Sequence, residues 1–588
     1  MTNHTHKPLR WLPGAILAAA LALSFIVPSF TPGIDRALPM LIGVGSALLI
    51  MLWWLFLSRA RWSERLGVAV LTAVGVAVTR LAVDPSISGG AQGFLGYIVG
   101  IQFFALAIAA WASVTARMDD RTRRLALIPM LVLIGAGSML AIRTEGIKNS
   151  GFVYHWRWTP TPEELLLVRG DDEPKPLPAA MPEVPAVPAG PIAVPPAAVP
   201  APVTPALNAS PVSIVPVAPE RVAEVIAPAE WPGFRGPNRD SVVHIKPINT
   251  DWNTTPPTEM WRRPVGPGWS SFSVRGDLLY TQEQRGDDEI VAAYRVSTGE
   301  PVWRHRDPIR FYESNGGAGP RGTPTIHGNR VYAMGATGFL NALDANTGKV
   351  AWSHDVAKDT GREIPMWGIS SSPLIVDDVV IVSLYGTLAG YEVATGTLRW
   401  VGPKHGGSYS SPHLLIVDGV TQVVILSAPG AVSVNPSDGK LLWEHKWEGG
   451  AIVQPAVTAE GDILINAMGG TGGIGTRRLV IRETDGGWTA EERWTTNGLK
   501  PYFNDLVIHK GYAFGFDGNI LSCIDLADGK RKWKGGRYGN GQMLLLADQD
   551  VLLVLSEEGE LALVSATPDQ FKEIARIPAL NAKTWNHP

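Results

Sequence analysis

The sequence predicts an all-β propeller of seven to eight four-stranded blades, the last one either incomplete or closed by strands from 231–257, preceded by an α-helical membrane domain of about five transmembrane helices. Three observations lead there. Long apolar runs are confined to the first 150 residues, a proline-rich stretch follows them, and a tryptophan-ended phrase recurs through the remainder. The expected division is a membrane domain over 1–145, a juxtamembrane segment over 146–173, a Pro/Ala-rich disordered stalk over 174–230 and the propeller over 231–588.

A chain of 588 residues is too long for one compact domain. Charged residues are 18% of it, below the roughly 25% of an ordinary soluble domain, so an apolar section is being averaged with a typical one. The net charge of −3, with no basic stripe, argues against a nucleic-acid binder. The single cysteine, Cys523, excludes an intramolecular disulfide, a cysteine-based zinc cluster and covalent c-type haem attachment.

Apolar runs lie at 12–30, 37–57, 66–83, 94–114 and 125–142. Each has the length a helix needs to cross the hydrocarbon layer. Lys7 and Arg10 precede the first, Arg59, Arg61 and Arg65 follow the second, and Arg117, Arg121, Arg123 and Arg124 follow the fourth. The alternate loops hold Arg36 alone and no cation at 84–93. Cationic loops stay inside, which predicts a cytoplasmic N-terminus in the bacterial inner membrane and a periplasmic propeller. A basic start before an apolar run also fits a cleaved leader. Arg80 is expected to snorkel and pair with Asp84 one turn on. Gly96 and Gly100 have the spacing of a helix-packing face.

Trp156 and Trp158 suit an interfacial anchor. From Pro174 to Pro228 the chain has 16 prolines and almost no aromatics. Such composition forms no core and favours extended polyproline geometry, so a semi-rigid spacer is expected.

The repeated phrase is cleanest at Ala342-Leu-Asp344-Ala-Asn-Thr347-Gly348-Lys349-Val-Ala-Trp352. Copies end at Trp303, Trp400, Trp443 and Trp533, a worn copy with an insertion at Trp494, and another at Ile574 that has lost both glycine and tryptophan. Trp261 stands without its phrase. Successive positions are 39 to 51 residues apart, the period of propeller blades. The Thr-Gly or Asp-Gly pair gives a tight turn, where glycine accepts positive φ. The tryptophan at blade spacing is expected to pack between neighbouring blades as a structural docking residue.

This phrase resembles the tryptophan-docking motif of the pyrroloquinoline-quinone (PQQ) repeat family over about 231–588. Members include quinoprotein alcohol and glucose dehydrogenases and the propeller lipoprotein of outer-membrane protein assembly. Eight blades are usual for that family. The five-helix anchor resembles that of membrane-bound glucose dehydrogenase, from which the proline-rich stalk departs. Trp231-Pro-Gly-Phe-Arg-Gly-Pro-Asn resembles the start of propeller domains in poorly characterised members.

The resemblance implies PQQ with calcium in the central channel if the chain is an enzyme, and neither otherwise. The residues on offer are Asp505 as catalytic base and Arg321, Trp367, Tyr409 and Asn504 as cofactor contacts, all at or near strand entrances. No family active-site motif surrounds them. The glycine-rich 469–475 lacks the following Gly-Lys-Ser/Thr of a phosphate loop, and no Gly-x-Ser-x-Gly elbow occurs. Worn repeats favour a non-catalytic binding or scaffold module. The alternative is a membrane-bound quinoprotein dehydrogenase passing electrons from an alcohol or sugar to quinone. The expected partners are the lipid bilayer, through five helices, and a periplasmic protein, through the propeller.

Overall fold

The computed structural model describes residues 9–31, 37–148, 151–169, 172–175, 228–470 and 472–588. Four helices are long and apolar enough to cross a membrane: Ala37–Leu57, Trp62–Thr79, Leu95–Val114 and Asp120–Ala141. The first helix, Leu12–Phe30, carries Pro28 in its last turn, and its apolar stretch, Leu12–Pro28, is shorter. The expected five spans are therefore four of full length and one short apolar helix.

The cationic loops gather at one end of this bundle. Glu64 pairs with Arg123 at 3.1 Å and Arg124 at 2.8 Å. Three indoles cap the same end: Trp53 donates to Arg10 O, Trp54 to Arg65 O and Trp111 to Arg123 O. Gly96 and Gly100 do face the helix Trp62–Thr79 and its cap. A Cβ at Gly100 would lie 2.8 Å from Val76 Cγ1, and one at Gly96 3.2 Å from Arg80 Cγ.

Arg80 does not pair with Asp84. The helix ends at Thr79, so the two are not one helical turn apart. Arg80 instead donates to Gly93 O at 3.1 Å and lies over the Tyr97 ring. Asp84 caps the next helical turn, Pro85–Gly89, and sits 3.7 Å from Arg157.

The juxtamembrane stretch is more ordered than its polar composition suggests. Ile142–Lys148 and Gly151–Trp156 form an antiparallel hairpin. Trp156 and Trp158 stack at 5.2 Å, both exposed. A capping box between Thr161 and Glu164 starts the helix Pro162–Leu167.

Seven sheets make the ring: blade one at 273–307, two at 325–355, three at 374–401, four at 413–446, five at 456–496, six at 507–537 and seven at 542–578. Among the described residues the ring has seven blades, the lower of the two expected numbers, and the last is complete. Blade seven has four antiparallel strands, and Val242–Val243 adds a fifth, parallel to Leu545–Leu546.

The docking tryptophans explain why eight sequence positions make seven blades. Trp303, Trp352, Trp400 and Trp494 donate to carbonyls of the following blade at Ala345, Val393, Pro436 and Leu526. Each ring covers that blade's turn glycine, so a Cβ at Gly348, Gly396, Gly439 or Gly529 would collide with it. Trp533 reaches Thr567 O in the worn seventh repeat. Blade five carries its Asp-Gly at the tip of a longer hairpin, and Trp443 bonds Gln422 of its own blade instead. At the seam between blades seven and one, Ile574 cannot dock. Trp261 does so: its indole donates to Val296 O at 2.8 Å and its ring covers Gly299. The adjacent Arg262 holds Ala579 O at the end of blade seven. Two of the eight sequence positions thus serve one seam.

The spacer expectation falls largely on 176–227, outside the described residues. Both flanks of that segment lie on blade one. Lys175 is 3.8 Å from Glu300, and Glu230 accepts from Gly276 N at 2.9 Å.

Candidate functional site

A belt of hydrogen bonds joins the entrances of the inner strands. Ser271 N–H donates to Thr323 Oγ1, Thr323 N–H to Ser372 Oγ, Ser372 N–H to Ser411 Oγ and Ser411 N–H to Gln454 Oε1. Gln454 N–H then donates to Asp505 Oδ1 at 2.9 Å, and Asp505 N–H to Gln542 Oε1 at 3.2 Å. These six links tie blade one to blade seven. At the remaining junction, Asn586 of the tail donates to Ser270 O at 2.6 Å, and Trp585 stacks on Trp269 at 4.4 Å.

Residues 231–241 fill the axis inside this belt. Trp231 exchanges backbone bonds with Val274 of blade one, and Pro232 O accepts from Ile326 N of blade two. Arg239 donates to Ser372 O and Pro373 O of blade three and to Pro412 O of blade four. Arg235 donates to Leu506 O at blade six, at 2.7 Å. Leu545 N of blade seven donates to Ser241 O. One eleven-residue segment can touch six blades only at the centre of the ring. Arg235, Arg239 and Ser241 have φ of 62°, 55° and 61°, left-handed values that non-glycine residues hold only when surrounding bonds impose them.

The electrostatics follow from that packing. Burial, then the two neighbouring arginines, pushes His413 down to about 3 and keeps it neutral. Burial pushes His587 down to about 4, against the pull of Asp505. Its Nε2 lies 3.7 Å from Asp505 Oδ2, yet a neutral imidazole forms no ion pair there at neutral pH. The charge of Asp505 is balanced by Arg235, 3.5 Å away.

Asp505, the candidate base, is buried with its oxygens facing Gln454, Arg235 and His587. Asn504 is spent on the backbone: its amide donates to Gly541 O and its carbonyl accepts from Tyr502 N. Arg321, Trp367 and Tyr409 do come together. Arg321 donates to Gly317 O, Gly319 O and Glu313, with its Nε 3.4 Å from Trp367 O. Burial pushes it down to about 10, against the charge of Glu313, so it stays cationic. The Trp367 and Tyr409 rings are 5.0 Å apart, with Tyr385 5.7 Å from Tyr409. Among the described residues, no hydrogen bond, ion pair or ring contact links this trio to Asn504 or Asp505.

Sequence reasoning missed Arg235, Arg239, His587, Trp585 and the docking role of Trp261. The available signals were two arginines inside a Gly/Pro-rich phrase and a tryptophan at blade spacing.

These residues do not fit PQQ with calcium on the axis. The space is taken by two arginines and a histidine, and the carboxylate there, Asp505, faces the Arg235 cation, the neutral His587 and the Gln454 N–H of its own chain. Among the described residues, no three His, Cys, Asp or Glu side chains are placed to hold a metal ion.

The sequence family described as "Outer membrane protein assembly factor BamB" matches residues 246–414 and 287–535. The propeller is a PQQ-like repeat domain. This PQQ-like propeller is 23% identical to BamB of Yersinia pestis over 344 residues, 56% of this chain and 75% of that one. It is 32% identical to BamB of Shewanella oneidensis over 156 residues, 25% of this chain and 36% of that one. It is 31% identical to quinohemoprotein alcohol dehydrogenase ADH IIB of Pseudomonas putida over 121 residues, 19% and 17% of the two chains. The solved structure of BamB from Moraxella catarrhalis aligns with a TM-score of 0.40 and 17% identity, over 54% of this chain and 87% of that one. The relatives of this PQQ-like propeller therefore include both an assembly factor and a dehydrogenase.

Proposed function

We propose that this protein is a membrane-anchored scaffold whose PQQ-like propeller binds a protein partner and performs no redox chemistry. One observation carries the reading: Arg235, Arg239 and His587 of the chain itself fill the axis on which a cofactor would have to lie. The greater length matched among assembly factors supports it further.

The anchor is the bundle of apolar helices, in the bacterial inner membrane. Its cation-rich loops share one end, with the hairpin and propeller at the other, which supports a cytoplasmic N-terminus and a periplasmic ring.

The test is titration of PQQ and calcium into the detergent-purified full chain, followed by calorimetry, with dye reduction over a panel of alcohols and aldoses. The reading expects neither saturable binding nor turnover from a protein that melts cooperatively. Calcium-dependent binding in the micromolar range with turnover would replace it with a quinoprotein dehydrogenase.

A further inference from the structure

The propeller is not presented free of the helices. Gly89, in the turn before the helix Leu95–Val114, sits against Ser314 of the ring. Ile147 N–H donates to Asn315 O at 3.2 Å, and Lys583 Nζ donates to Ile147 O at 2.9 Å. Lys148 pairs with Glu558 at 2.6 Å. These contacts are small, and a second set lies beside them.

Blade one and the loop after it carry Arg285, Arg304, Arg306 and Arg310, with Arg263 just before the blade. Of the blade's own acids, Glu283 pairs with Arg285 at 3.1 Å and Asp288 with Arg306 at 3.4 Å. Three cations are left over. The juxtamembrane segment supplies three anions. Glu163 pairs with Arg310 at 2.7 Å and accepts from Gly286 N. Asp172 is buried between Arg263, Arg285 and Arg304, the last at 3.0 Å. Glu173 pairs with Arg306 at 3.0 Å and Arg304 at 3.4 Å. Burial would raise the Asp172 pKa, but Arg285, Arg304 and Arg263 outweigh it and hold the carboxyl below its usual range. A desolvated carboxylate shared by three guanidinium groups is specific as well as attractive, because each planar fork constrains the approach.

We propose that this arginine trough is a binding surface for an acidic peptide, that its occupants are Glu163, Asp172 and Glu173 of the chain's own juxtamembrane segment, and that the pairing fastens the propeller to the helical domain. The ring then faces the helices in one fixed orientation, set by the trough. The inference is independent of whether the axis binds a cofactor.

A disulfide reports the docking directly. A Cβ at Gly89 would lie 3.9 Å from Ser314 Cβ, inside the range a disulfide needs. The resident Cys523 is buried and its thiol is pushed up to about 12, so it does not compete. In the full chain carrying Gly89→Cys and Ser314→Cys, mild oxidation should close the bridge. Adding Asp172→Arg and Glu173→Arg should slow closure by about tenfold or more while the propeller keeps its cooperative melt. Where that variant fails to melt cooperatively, Glu173→Arg alone should slow closure, and Glu173→Arg with Arg306→Glu should restore it. Equal closure rates in parent and charge-reversed chains would overturn the fastening role. So would absence of closure in a parent whose three thiols, Cys523 included, all label with maleimide after denaturation.

Discussion

The backbone N–H of Gln454 reaches across a blade boundary to Asp505 Oδ1 at 2.9 Å. The other five links in that belt end on a serine or threonine hydroxyl or a glutamine amide oxygen. Asp505 also faces Arg235, at 3.5 Å. Asp505→Ala should therefore cost about 3–5 kcal/mol of stability, the loss expected when a buried ion pair is broken on one side. Asp505→Asn keeps an acceptor for Gln454 and should cost less. Urea midpoints of the two variants check this; a catalytic base would instead leave stability unchanged.

Arg239 serves three carbonyls at once, on Ser372, Pro373 and Pro412. Arg239→Ala leaves these buried acceptors without that donor and should cost at least about 3 kcal/mol. Arg239→Lys should rescue only part, because a single ammonium cannot span the same fork. Denaturant titration of both variants reads the difference.

Turn glycines separate docking from backbone strain. Gly328 has φ +57 with open space around its Cβ position, whereas Gly348 has φ +69 and faces the Trp303 ring. Gly328→Ala should cost about 1 kcal/mol from the left-handed backbone alone. Gly348→Ala should cost clearly more, and the double variant Gly348→Ala with Trp303→Ala should show strong non-additivity in a double-mutant cycle.

His587 makes stability depend on pH in a defined window. Its pKa is about 4 in the folded protein against an ordinary 6.5. Between those values the unfolded chain binds the extra proton, so stability falls as pH drops from 6.5 to 4 and levels off below. The full contribution is on the order of 3 kcal/mol. His587→Gln should make that limb shallower, the remaining slope belonging to His413, whose pKa of about 3 acts in the same direction, while leaving the region above pH 7 in place.

Much of this architecture could be read before any coordinates. The apolar runs have the length a bilayer demands, and the phrase around Trp352 announces blade and docking residue together. What escaped has a common physical cause. Arg235 and Leu506 are 271 residues apart, and Arg239 and Ser372 133. No local pattern records such a pairing, so 231–239 reads as a Gly/Pro turn. The choice between seven and eight blades turned on Trp261, whose docking phrase belongs to another part of the chain. Asp505 was singled out as a candidate base at a strand entrance, and its use in the belt emerges only when blade five is placed against it. The Arg80–Asp84 pair failed because four-residue spacing has meaning only within a continuous helix, and that helix stops at Thr79.

Closure by Val242–Val243 against Leu545–Leu546 also has a kinetic side. These partners are about 300 residues apart, a contact order that makes ring completion late and slow. Six blades must emerge and fold before the seventh can receive its fifth strand and the axial arginines find all their carbonyls. Until then the early segment and the last sheet edge both stand unpaired, and an exposed edge is an invitation to aggregate. The nascent protein is thus most vulnerable at the end of its synthesis, when chaperone cover would matter most.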